Sequence, residues 1–184
     1  PPADAEAHYD LGVFLLERDR PADAVTAFTA AVGVRPDYAE AHNNMASVLR
    51  DQGHVAEAEH AYRKALSLRR DYIEAYVNLA AMLDGDDHGD EALRVLGEAL
   101  KINARHTPTL IQIARTQLRK MNYEQAEQAA RLALQNEPNS ADAHAVLAQI
   151  LHETDRLHDA IDAFEATLRL KPSLIEANSM YGVC

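Results

Sequence analysis

An alanine returns every 34 residues along the chain, at Ala24, Ala58, Ala92, Ala126 and Ala160, with no insertion or deletion in any interval. A fixed period of this length constrains the fold more than any local pattern. It means that one supersecondary unit is repeated, and that each unit must find a neighbour to cover the apolar surface it cannot bury alone. Further columns keep the same step. Leu11, Met45, Leu79, Ile113 and Leu147 are large and apolar, and each is followed by a small residue, Gly12, Ala46, Ala80, Ala114 or Ala148, beside which a neighbouring helix backbone can approach. Phe28, Tyr62, Leu96, Ala130 and Phe164 form a third column, and Ala31, Ala65, Ala99, Ala133 and Thr167 a fourth. A fifth, Pro36, Arg70, Ala104, Pro138 and Pro172, often stops a helix.

Inside each unit the apolar residues recur at helical spacing in two blocks, separated by a short polar turn such as RDRPAD, DQGHVAE, DGDDHGD or ETDRLHD. Each unit therefore reads as a helix hairpin. First helices are expected near 5 to 18, 39 to 52, 73 to 84, 107 to 120 and 141 to 153, and second helices near 22 to 34, 56 to 69, 90 to 102, 124 to 136 and 158 to 170. Abundant alanine, scarce β-branched runs and only seven glycines and seven prolines support an all-α chain, and a hydrophobic content of 47% is enough to fill a core.

The pattern resembles the tetratricopeptide repeat family over essentially the whole chain. Five complete units run at 5–38, 39–72, 73–106, 107–140 and 141–174, with the start of a sixth at 175–184. RDQGHVAEAEHAYRKALSL, residues 50 to 68, matches the family's turn and second helix especially well. His8, His42 and His144 stand where the family often has tryptophan, Ala130 replaces an aromatic and Gln117 interrupts an apolar column, which suggests a looser fourth unit. The resemblance implies a single right-handed superhelical solenoid whose first helices line a concave face that binds extended peptides or partner helices.

Several columns on that face carry candidate ligand contacts. Asp10, Asn44, Asn78, Gln112 and Val146 form one, with Tyr9, Asn43, Val77, Ile111 and Ala145 beside it. An amide offers both a donor and an acceptor, so a row of them suits the backbone of an extended peptide. The row is similar in style to the asparagine ladder of O-GlcNAc transferase-like arrays, with Asn44 and Asn78 matching, Gln112 substituting and Asp10 and Val146 departing. Asn43 is expected to face the groove. Glu6, Glu40, Glu74, Asp142 and Glu176 form an acidic column that also suits the helix dipole. Arg115 and Arg119, one turn apart and expected near Arg50 and His152, are placed to receive a carboxylate or phosphate. The family's carboxylate clamp for chaperone tails is absent, whether the search starts from Tyr9 and Val13, Asn43 and Ser47, or Val77 and Ala81.

The chemistry-bearing residues point away from catalysis. The nine histidines form no HExxH or cysteine–histidine pattern, and the loop from Asp84 would end a calcium site on Val95 where a glutamate is needed. No cofactor, metal or catalytic site is expected, and any enzymatic domain would lie outside these residues. A net charge of −11 disfavours nucleic acid as partner, and no apolar run approaches the roughly 20 residues of a membrane span. The single Cys184 leaves the compartment open, with the cytoplasm favoured. The expected partner is a protein or peptide in the concave groove. The alternatives are the substrate-recognition array of a larger glycosyltransferase, and a scaffold that associates head to tail through apolar ends including Met180, Tyr181 and Val183.

Overall fold

The structure, a computed structural model, describes residues 4–85 and 88–172. Among them are ten α-helices and no strand. The first helices are α1 (Ala5–Glu17), α3 (Ala39–Asp51), α5 (Ile73–Gly85), α7 (Thr107–Arg119) and α9 (Ala141–Glu153). The second helices are α2 (Pro21–Val34), α4 (Val55–Leu68), α6 (Gly89–Ile102), α8 (Tyr123–Asn136) and α10 (Leu157–Leu170). Every start falls on the 34-residue step, within a residue of the expected boundary. Met180, Tyr181, Val183 and Cys184 lie outside the described residues.

The chain divides into two compact units, residues 1–85 and 86–184. In the first, hairpins α1/α2 and α3/α4 pack with α5; in the second, α6 packs on hairpin α7/α8, which packs on α9/α10. The alanine column Ala24, Ala58, Ala92, Ala126 and Ala160 is fully buried, as are Phe28, Tyr62 and Leu96, with Phe164 almost so. Gly12 is required by this packing, because a Cβ there would lie 2.5 Å from the ring of Phe28. At roughly 1.5 to 3 kcal/mol for each large apolar side chain removed from water, these contacts outweigh any exposed ion pair on the surface.

Each described turn inside a hairpin ends its first helix in the same way. Asp19, Gly53, Met121 and Asp155 take positive φ, and the next residue's N–H returns to the helix, as in Arg20 to Leu15 O and Asn122 to Gln117 O, both at 2.9 Å. This is the left-handed stop that satisfies the last carbonyls of a helix. Between hairpins, Arg35 stacks on Tyr38 and reaches Glu6, and one repeat later Arg69 stacks on Tyr72 and reaches Glu40. His42 and His144 donate from Nε2 to the carbonyls of Pro36 and Pro138, at 3.0 and 2.9 Å, and Tyr76 uses its hydroxyl on Arg70 O in the same way. These side chains fasten the entry loops of the second, third and fifth hairpins.

In the second unit, burial pushes the Glu127 carboxyl up, but hydrogen bonds from Arg131 and from Arg156 at the head of α10 outweigh it and hold the group below the usual carboxylate range. The fourth hairpin is not left hollow by Ala130, which is fully buried in one apolar cluster with Leu110, Leu147, Ile150 and Phe164. Its weakness lies in α7, where Thr107, Thr109, Gln112 and Thr116 are buried. The hydroxyls of Thr107 and Thr116 have no hydrogen-bond partner. Thr116 occupies the column of Val48, Met82 and Ile150, so replacing it with the isosteric Thr116→Val should raise unfolding stability by about 1 kcal/mol, read as a higher urea midpoint at unchanged slope.

Candidate functional site

On the first-helix side of the first unit, side chains from three helices join in one hydrogen-bonded chain. Asn78 on α5 donates from Nδ2 to Asn43 Oδ1 at 3.2 Å. Asn43 in turn donates to Asn44 Oδ1 at 3.2 Å, and Asn44 donates to the hydroxyl of Tyr9 on α1 at 3.0 Å. Tyr9 is held by its ring, 5.0 Å from Tyr38 and 5.8 Å from Phe28 between centroids. One turn further along α3, the hydroxyl of Ser47 lies 2.9 Å from that of Tyr62, whose phenol is pushed up by burial.

The pair of adjacent asparagines therefore divides its labour differently from the sequence expectation. Asn43 is only 4% exposed, so it does not face a groove. About 100° round the helix from Asn44, it lies buried between Asn44 and Asn78, where both ends of its amide are occupied. Asn44 and Asn78 remain half-buried. With Oδ1 taken by Asn43 and one N–H by Tyr9, Asn44 retains one N–H, whereas Asn78 retains its carbonyl and one N–H. Gln112, in the second unit, is 7% exposed and more buried than the other two. Tyr9 was named only as a neighbouring column, although a phenol 35 residues before Asn44 was the available signal.

The charged candidates are distributed between the units. Glu40 is engaged by Arg69, Glu74 is exposed in the first turn of α5, and Arg50 places two donors on Asp51 at 2.8 and 2.9 Å. All three belong to the first unit. Arg115 and Arg119 line a groove of about 530 Å³ in the second unit, between α7 and α9. Leu118, Met121 and Tyr123 form its apolar side, and Gln149 and Glu153 come from α9. Arg115 makes a long contact, 3.8 Å, with Asp142. None of the five other groove residues was singled out in the sequence. His8, His42 and His144 fall on different first helices, and among the described residues no group of three His, Cys, Asp or Glu side chains is placed to hold a metal. No described helix is long and apolar enough to cross a membrane.

A family model described as tetratricopeptide repeat matches residues 1–39, 9–73 and 111–175. No curated protein sequence matches the chain. Among solved structures, a thermophilic tetratricopeptide repeat protein of Thermus thermophilus is similar at 23% identity and a TM-score of 0.83, covering 97% of both chains. PilW, described as a widely conserved type IV pilus biogenesis factor, is similar at 16% identity and a TM-score of 0.84, over 97% of this chain and 90% of its own. YrrB, described as having an unusual peptide-binding site, is similar at 17% identity and a TM-score of 0.67, over 98% and 93%.

The buried amide sets a testable cost. Asn43→Leu deletes the central link and strands Asn44 Oδ1 and an Asn78 N–H, so unfolding stability should drop by about 1 to 3 kcal/mol in urea titration.

Proposed function

Because the chain belongs to the tetratricopeptide repeat family, we propose that it is a protein-interaction module whose first-helix face binds an extended polypeptide segment. The observation that carries this reading is the half-buried pair Asn44 and Asn78, oriented by a buried asparagine and an anchored tyrosine. A pre-oriented amide loses little freedom when it meets a peptide group, and main-chain hydrogen bonds ask little of the ligand's sequence. The similarity to a structure described as having a peptide-binding site supports the same reading. Catalysis is no part of it.

The test begins by selecting peptides on an immobilised random-sequence array with the full chain, then titrating those selected. Asn44→Ala combined with Asn78→Ala should weaken binding by roughly tenfold, the loss of about two hydrogen bonds, while the helical circular-dichroism signal is kept. Unchanged affinity in a folded double variant would remove the proposed mode.

One observation favours a second reading, a scaffold that docks a further helix on α1. Leu11 and Phe14 are 47% and 49% exposed, whereas their equivalents Leu79, Leu147, Val48, Met82 and Ile150 are buried in later hairpins. Sedimentation velocity should then report concentration-dependent association that Leu11→Glu with Phe14→Glu abolishes; a monomer at every concentration counts against it.

A further inference from the structure

Comparing each repeat with its own siblings isolates a cluster of departures in the fourth hairpin. Arg115 stands in the column of Val13, Ser47, Ala81 and Gln149. Arg119 stands in that of Glu17, Asp51, Gly85 and Glu153, where it reverses the prevailing charge. Met121 is the strongest departure. Its siblings in the described hairpins are Asp19, Gly53 and Asp155, all at positive φ, and Met121 is held there too, at 57°. Glycine and aspartate tolerate that conformation, whereas a long unbranched side chain gains nothing from it. Nor does the side chain fill a core, since it is 73% exposed.

Three separate rule-breaking positions converge on one groove, the one between α7 and α9. A local violation such as Met121, held at positive φ with its side chain exposed, is expected where a surface serves binding. The composition of the groove names its occupant. Two guanidiniums one helical turn apart, in a chain of net charge −11, offer charge-assisted hydrogen bonds to carboxylates. Met121, Leu118 and Tyr123 offer an adaptable apolar seat, methionine being suited to contacts of varied shape. Glu153 on α9 repels a carboxylate from the far wall and confines it to the α7 side.

The geometry points to this groove as a docking site for an acidic polypeptide segment in which Asp or Glu side chains flank one large apolar residue. The site uses residues of the second unit only. It rests on the broader reading of the chain as a polypeptide-binding module, but not on the amide pair of the first unit.

The experiment uses the full chain and an array of twelve-residue peptides, acetylated and amidated so that no terminal carboxylate contributes. Each places two Asp or Glu residues around one Leu, Phe or Met in a Gly/Ser background, with counterparts carrying Lys for the acids or Ala for the apolar residue. Fluorescence anisotropy of the best peptides should give affinities at least about tenfold above those of the Lys counterparts, falling as salt rises. Arg115→Gln with Arg119→Gln should remove about tenfold or more. Met121→Gly should weaken binding about three- to fivefold while leaving the thermal midpoint unchanged or higher, a combination that a purely structural methionine would not produce. Asn44→Ala with Asn78→Ala should leave these affinities unchanged. Equal binding of acidic and Lys peptides, or full affinity in Met121→Gly, overturns the inference. Loss of the acidic peptides in the asparagine variant would also overturn it, by moving them to the first unit, and would leave the general peptide-binding reading standing.

Discussion

The close approach of helices at alanine and glycine is the constraint on which the rest of the structure depends. Ala24, Ala58, Ala92, Ala126 and Ala160 are without exposed surface, and Gly12 leaves no room for even one carbon against Phe28. Within each compact unit, backbones brought this near leave a hairpin with one apolar face already spent and another still needing cover, which the neighbouring helices supply. The polar stripe on the first helices is a by-product. Once the larger side chains are turned toward neighbouring hairpins, the remaining stripe carries residues free to be polar, and this is where the amides and arginines occur.

The architecture was legible because its signal is repetition. A wrong boundary in one hairpin is corrected by the others, and helix starts at 5, 39, 73, 107 and 141 follow the sequence step without drift. Side-chain roles do not benefit from that averaging. Asn43 and Asn44 differ by a rotation of about 100° on the helix axis, and that rotation alone separates a buried link from a half-buried contact. Histidines 42 and 144 have a structural role that the period does not announce, a bond to a loop carbonyl six residues back. Gln112 shared a column with the two asparagines but is buried, because side-chain length and local packing are not carried by the period.

The acidic column illustrates how one residue serves two demands. Glu6 and Glu40 lie in first turns, where negative charge suits the helix dipole, and both are also reached by an arginine that stacks on a tyrosine from the following loop. The arrangement lapses where its members change, at Asn103 and His106 in one loop and Glu137 and Ser140 in the next. Glu127 and Arg156 provide a different tie between second helices of the second unit. Fastening is therefore local and varied, while the alanine column beneath it is buried in every hairpin.

The turns inside the hairpins carry a consequence for how such a chain can change length. Each described one closes its hydrogen bonds within six residues, from Leu15 to Arg20, Leu49 to His54, Gln117 to Asn122 and Leu151 to Arg156. A helix stop of this kind travels with its own segment. Duplicating or deleting one whole period leaves no orphaned turn behind, so growth by copying is conservative in its hydrogen bonding, whereas residues gained or lost inside a helix turn its apolar face out of register with its neighbours.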